Sequence, residues 1–247
     1  MKIIRTLPAI AVLLATASTN AVVLGYSNNF STSVADFTET TDVQWTLGSG
    51  VYTNAFTAGG ATASSATVNV TDLGPVGTDW SISTTFSIST LESGMTFGFG
   101  ALGTNTAFSG GAGNPYYLAD VNTAGSVRIL EIASSPADLG GTKTSLPDGG
   151  LQTDTNYTMT LSGTYSGGTL TMDLSITDGV NIGSVIGATD ASSLTGQNFG
   201  FRNRIPNAGT YSVSYDNFSI VPEPGSAALI MSACVGMLLM MRRRRRA

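Results

Sequence analysis

The sequence predicts an all-β protein built as two packed antiparallel sheets, and three observations predict it. Apolar residues alternate with Ser and Thr over short stretches, Gly, Asn and Asp punctuate those stretches, and residues 22–221 contain almost nothing with the period of an amphipathic helix. The clearest stretch is DWSISTTFSIST, where Trp80, Ile82, Phe86 and Ile88 fall on one parity and Ser and Thr on the other, the pattern of a half-buried strand. Tyr157, Met159 and Leu161 repeat it, Ser166-Gly167-Gly168 interrupts it, and Leu170, Met172, Leu174 and Ile176 resume it, which predicts a long hairpin. Further strands are expected over 43–47, 51–56, 66–70, 95–102, 116–121, 126–132, 199–201 and 211–220. In the last of these Tyr211, Val213 and Tyr215 share a face, but Phe218 and Ile220 have switched parity, so a bulge is expected near Asp216-Asn217. Short strands separated by turns in this number form two packed sheets. No internal repeat of useful length is present.

Taken from its start, the chain opens with Lys2 and Arg5, an apolar run over 7–15, and small residues before Ala17 and Ala21. This is the layout of a secretory signal peptide, 1–21, removed by signal peptidase on export. The cut can follow Ala17 or Ala21, and Ala21 is favoured. The apolar run is shorter than the roughly 18 residues of a spanning helix, which weighs against an uncleaved anchor.

Residues 22–221 are then the exported β-sandwich domain. Of the sixteen acidic residues only Glu223 lies outside it, and of the eleven basic residues only Arg128, Lys143, Arg202 and Arg204 lie inside, a net charge near −11. Such a surface repels nucleic acid and anionic lipid, whose binding needs clustered Lys and Arg. The single cysteine, Cys234, lies beyond the domain, so the domain has no disulfide and depends on its core.

The chain ends VPEPGSAALIMSACVGMLLMMRRRRRA. Pro222 and Pro224 lack amide donors and restrict the residues before them, so neither strand nor helix is expected to run through them. Residues 225–241 carry no charge and as a helix span roughly 25 Å, at the short limit for a bilayer. Arg242, Arg243, Arg244, Arg245 and Arg246 supply the cytoplasmic flank, placing the domain outside. In that spacing Val221-Pro222-Glu223-Pro224, the short helix and the arginine cluster resemble the PEP-CTERM sorting signal of Gram-negative bacteria. The resemblance implies an exosortase partner that cuts near the motif. The protein would then rest in the inner membrane before processing and pass afterwards to the cell envelope or extracellular matrix. The alternative is a plain C-terminal anchor.

Asn29-Phe30, the DWSISTTFSI strand, FGFGALG at 97–103, YYLADVNTAGSVRILEI at 116–132 and YDNFSI at 215–220 resemble, in that order, a laminin-G-like or concanavalin-A-like jelly roll. The resemblance implies a sugar-binding or adhesive module for an extracellular polysaccharide, in some relatives with calcium and in some with glycoside hydrolysis. With no histidine, Ser-His-Asp and Cys-His mechanisms and His-containing metal sites are excluded. Hydrolysis needs only two carboxylates about 5 to 5.5 Å apart in retaining enzymes. The Glu-x-Asp-x-x-Glu run of jelly-roll glucanases is absent, and Asp36, Glu39 and Asp42 are spaced so as to alternate faces. The expectation is a non-catalytic, glycan-binding or structural protein, the alternative a secreted glycoside hydrolase with a carboxylate pair assembled from distant strands. Calcium needs only oxygen ligands, and Asp120 with Asn122 in one loop and Asp216 with Asn217 at the bulge are the candidate positions, with an Asx turn the competing reading of the second pair. Arg128, Arg202 and Arg204 are candidates for sugar hydroxyls or uronates, against the commoner role of pairing with surface carboxylates.

Overall fold

The structure, a computed structural model, describes residues 25–40, 45–70, 79–108 and 113–222. The signal peptide with Ala21, and Glu223, Pro224, the 225–241 span and the 242–246 arginines, lie outside the described residues. Among the described residues no helix is long and apolar enough to cross a membrane.

Among the described residues sixteen strands form two sheets, and every pairing is antiparallel. The nine-stranded sheet runs β11 (Thr142–Thr144), β14 (Ile182–Asp190), β13 (Thr169–Thr177), β12 (Asn156–Ser166), β6 (Trp80–Thr90), β16 (Gly209–Pro222), β4 (Val51–Ala58) and β3 (Trp45–Gly48). Beside it β1 (Tyr26–Asn28) pairs the far end of β16. The seven-stranded sheet runs β10 (Pro136–Asp138), β9 (Val127–Ile132), β8 (Tyr116–Asn122), β7 (Thr96–Gly103), β15 (Asn198–Ile205), β5 (Thr62–Asn69) and β2 (Phe37–Glu39). Edge strands β10 and β11 are exposed and carry Pro136 and Lys143, residues that discourage further pairing.

The hairpin expected from the alternation is β12 and β13, closed at Ser166 opposite Thr169. Gly167 and Gly168 both take positive φ, 59° and 87°, as a two-residue turn matched to the strand twist requires. The expected bulge is also present: the β16–β6 register shifts between Asp216 and Ser219, Asn217 has φ 53°, and Phe218 turns into the core. Its displaced carbonyl, Asp216 O, accepts the Thr84 hydroxyl at 2.8 Å and the Thr85 hydroxyl at 3.2 Å. Strand β16 runs on to Pro222, opposite Trp80, two residues past the expected end at Ile220. Proline is tolerated there because it is the last residue of the strand.

The longest unexpected strand is β14. Gly183 and Gly187 dilute its apolar pattern, and a register shift between Met172 and Leu174 of its partner breaks the parity, so Gly183 and Val185 face inward but so does Ala188. The Asp173 carboxylate accepts the Gly187 amide at 2.6 Å across that irregularity.

The core between the sheets is aromatic. Phe201 on β15 stacks on Tyr215 of the opposite sheet at a centroid separation of 4.0 Å and meets Phe218 at 4.8 Å, and such pairs add about 0.5–1.5 kcal/mol beyond burial. A buried polar network joins the same two sheets. Asn203 on β15 donates to Asn54 Oδ1 on β4 at 3.0 Å, Tyr211 donates to the same oxygen, and Tyr215 donates to Asn203 Oδ1. Trp45 Nε1 and Asn54 Nδ2 converge on Ser64 Oγ. Burial pushes the Tyr211 and Tyr215 phenols well above their usual range.

A second tie joins Tyr117 of β8 to Asp190 at the end of β14. Tyr117 donates to Asp190 Oδ2 and accepts the Leu194 amide at 3.0 Å, while Ser192 donates its amide and hydroxyl to Asp190 Oδ1. Burial works to raise the Asp190 pKa, but those hydrogen bonds outweigh it and hold the carboxyl below the usual range.

Candidate functional site

The turn that links β1 to β2 and the bulge in β16 face each other across an open cleft of about 690 Å³. Ser27, Asn28, Asn29, Thr32, Ser33 and Asp36 line one side, and Asn217, Phe218 and Ser219 the other. The two sides are locked together because β1 pairs β16, with Asn28 opposite Phe218 and Ser27 opposite Ser219.

The turn is held by its own side chains. Asn28 Oδ1 accepts the Phe30 amide at 2.7 Å and Asn28 Nδ2 donates to Ser33 O at 2.9 Å. Asn29 Oδ1 accepts the Ser31 hydroxyl at 2.8 Å, and Ser33 Oγ accepts the Ala35 amide at 3.1 Å. These are Asx- and Ser-type turns, in which a short polar side chain replaces a backbone partner. Phe30 takes φ 54°, uncommon for a bulky residue, because its fully buried ring plugs the core 5.4 Å from Tyr52 and 5.8 Å from Phe37. The cleft wall is therefore pinned from beneath. Burial raises the Tyr26 pKa, the Asn28 amide opposes it, and the Asp36 carboxylate adds to the rise. The cleft offers amides, hydroxyls and, in Asp36, one carboxylate. This is a hydrogen-bonding set suited to a polyhydroxylated ligand, in which each hydroxyl is both donor and acceptor.

Of the sequence candidates, Asn217 lines this cleft, with its amide and Nδ2 donating to the adjacent Asp216 carboxylate at 2.7 and 2.9 Å, one residue short of the i to i+2 bond of an Asx turn. Asp216 lines a separate, smaller cavity with Thr85, Ser87, Asn156 and Ser214. Asp120 and Asn122 lie on strand β8 and not in a loop. Asp120 is fully buried and meets the Arg128 guanidinium at 2.7 and 3.0 Å, a bidentate pair, while Asn122 Oδ1 accepts the Ser126 amide at 2.9 Å. The hydrogen bonding that Arg128 donates to the Asp120 carboxylate is the main reason that its guanidinium is held above its usual pKa. The structure thus sends the two candidate pairs to different sheets. Among the described residues no group of three or more acidic, Cys or His side chains is able to hold a metal ion. Arg202 donates from Nε to Phe108 O at 3.0 Å, and Arg204 is exposed. Glu39 accepts the Tyr52 hydroxyl, Asp36 is exposed in the cleft, and Asp42 lies outside the described residues. Val221 is exposed on β16, and Pro222 ends that strand.

No protein-family model matches the chain, and no curated protein does. Solved structures do match. Lectin I of Ulex europaeus, solved with the methyl glycoside of alpha-L-fucose, is 13% identical, with a TM-score of 0.53 over 80% of this chain and 98% of that one. A bifunctional GH43-CE protein of Bacteroides eggerthii is 14% identical, with a TM-score of 0.54 over 81% of this chain. The GH43 protein BlXynB of Bacillus licheniformis is also 14% identical, with a TM-score of 0.54 over 80% of this chain. The chain spans 26% and 39% of those two proteins, respectively. The fold is a lectin-like β-sandwich. Within it, the sequence reading identified Asn217 and passed over Asn28 and Asp36 as cleft residues. The Asn28-Asn29 pair before a bulky residue is the local signal of the turn, but only the pairing of β1 with β16 makes it half of a cleft.

The lectin-like sandwich also has a feature that alternation alone does not reveal. Phe108, Tyr116, Leu118, Leu130 and Ile132 form a second apolar cluster on the outer face of the seven-stranded sheet. The segment carrying Phe108 is strapped down by Thr67, which donates to Thr106 O at 2.7 Å, and by Tyr116 and Arg202, which both donate to Phe108 O. Gly100 makes room for the ring, since a Cβ there would lie 2.2 Å from it.

Proposed function

We propose that this chain is an exported, non-catalytic protein of the cell envelope or extracellular matrix that binds glycans through the cleft between the β1–β2 turn and the β16 bulge. The observation that carries the reading is that cleft: a pre-shaped set of amides, hydroxyls and one carboxylate on a lectin-like sandwich. The Ulex europaeus lectin, which shares this fold, was solved with a fucoside, which supports a sugar ligand in kind. A single carboxylate among the residues lining the cleft suits binding better than hydrolysis, which calls for two.

The test is a glycan array run beside a reducing-sugar release assay on the same purified chain. Binding without sugar release, lost on Asn29→Ala or Asp36→Ala, is the expected result. Sugar release abolished by removing carboxylates would replace this reading with that of a secreted glycoside hydrolase.

The same proposal includes processing by an exosortase at Val221-Pro222-Glu223-Pro224, with 225–241 spanning the inner membrane and Arg242 to Arg246 inside. Cleavage after Pro222 keeps the pairings of Val221 with Ser81 and of Pro222 with Trp80. In a host with the matching exosortase, mass spectrometry is expected to find a C-terminus within 221–225. An intact chain ending at Ala247 would leave a plain anchor.

A further inference from the structure

Of the four basic residues in 22–221, three meet on the outer face of the seven-stranded sheet, in an otherwise strongly acidic chain. The strand registers set them out as a block. Arg202 on β15 lies opposite Gly98 on β7, Gly98 lies opposite Asp120 on β8, and Asp120 lies opposite Arg128 on β9. One step along, Arg204 lies opposite Thr96. Gly98 alternates with the core-facing Phe97 and Phe99, so the row has no side chain at its middle position.

The charges in this block are not balanced within the protein. Asp120 is committed to Arg128 through both carboxylate oxygens. Among the described residues neither Arg202 nor Arg204 forms an ion pair, although they share one face of one strand about 7 Å apart. Arg202 is 9% exposed, and a buried guanidinium ordinarily keeps a charged partner. Beside them the Thr96 hydroxyl is 5% exposed and has no hydrogen-bond partner. Among the described residues Arg202 has only the Phe108 carbonyl as a hydrogen-bond acceptor for its Nε, while the exposed Arg204 stands directly opposite the orphaned Thr96 hydroxyl, and such a hydroxyl is conspicuous because buried polar atoms are nearly always satisfied. Phe108 fills the face over Gly100, and at the other end of the row, beside Thr96, Arg204 is exposed.

We propose that this block binds the carboxylate of a uronic acid residue in an acidic polysaccharide. The exposed Arg204 guanidinium supplies the paired donors that a planar carboxylate accepts, Arg202 beside it adds positive charge, and Thr96 supplies a third hydrogen bond. The inference rests on the reading of this chain as a glycan-binding protein but places a second subsite away from the cleft.

The test is calorimetric titration of the full-length chain with an oligogalacturonate, its methyl ester, free galacturonate and a neutral oligosaccharide that the array identifies. The acid form is expected to bind about tenfold more tightly than the ester, since the ester forfeits the charge-assisted hydrogen bonds. Its affinity should fall as salt rises, and it should exceed that of free galacturonate. Arg204→Ala, at an exposed position, should weaken the acid form about fivefold without altering the fold. Thr96→Val should weaken it about threefold while leaving the melting temperature unchanged or higher, because it removes an unsatisfied hydroxyl. A merely structural Thr96 would change stability alone. Equal binding of acid and ester, full binding in both variants, or free galacturonate binding as tightly as the oligomer would overturn the proposal. Neutral-glycan binding that depends on Asn29 and Asp36, with no oligogalacturonate binding, would overturn it and leave the cleft reading standing.

Discussion

The outer faces of the two sheets follow different rules. On the nine-stranded sheet, β6, β12 and β13 present Ser81, Ser83, Thr85, Thr160, Ser162, Thr171 and Ser175 outward while every other residue enters the core. On the seven-stranded sheet, β7 and β8 are buried on both sides, because Phe108 and its strap cover the outer surface. A face left to solvent needs only hydroxyls that satisfy water and one another, as Thr53 and Ser214 do at 2.8 Å. A covered face must satisfy every polar group internally, so Asp120 takes Arg128 and Arg202 takes a carbonyl. The groups that remain unsatisfied there become informative, whereas an unpartnered serine on the open face says nothing.

The largest expected effect breaks the cover. Phe108→Ala should cost about 3–5 kcal/mol in denaturant unfolding, because it empties a close-packed satellite core. By contrast, Ser81→Val or Thr171→Val on the open face should change stability by no more than about 0.5 kcal/mol. Equal effects on both faces would remove the distinction.

The next variant tests whether the two faces share one cooperative core. Asn203→Leu strands the Tyr215 hydroxyl and removes one of the donors to Asn54 Oδ1, and should cost about 2–3 kcal/mol with a single unfolding transition. Two separate transitions would show that the sheets do not depend on this network.

The smallest effect is pH-dependent. Tyr117→Phe deletes the donor to Asp190 and the acceptor of Leu194, and should cost about 1–2 kcal/mol near neutrality. The folded-state pKa of Asp190 lies below the ordinary carboxylate value, so the stabilisation is complete above the unfolded value of about 4 and is lost as pH falls through the folded one. Wild type and variant should therefore converge in stability under strong acid. A constant gap from neutral to acid pH would mean that the loss is packing alone.

How much was legible follows the same division. The long hairpin and the β16 bulge could be read because each is local: two glycines at a turn, and a parity switch between Tyr215 and Phe218. The strands 116–122 and 127–132 were also readable, but their covered outer face was not recognised, although YYLADV and VRILEI carry apolar residues on both parities. Strand β14 was missed because its partner's irregularity breaks the alternation that would have announced it. Asp120 was placed in a loop as an oxygen ligand, when its position directly across from Arg128 on the neighbouring strand makes it half of an ion pair.

By itself the sequence determined the all-β class, the main alternating strands, the exclusion of histidine chemistry and the acidic balance of 22–221, since composition and period-two patterning act over a few residues. Tertiary structure alone decided which strands became neighbours. It joined Asn28 to Phe218 in the cleft, Asn54 to Asn203 in the core, and Arg202 through Gly98 and Asp120 to Arg128 across one sheet face. The physical reason is that antiparallel pairing between strands far apart in the chain is selected by the packing of whole faces. No local run of residues encodes which distant partner will lie opposite.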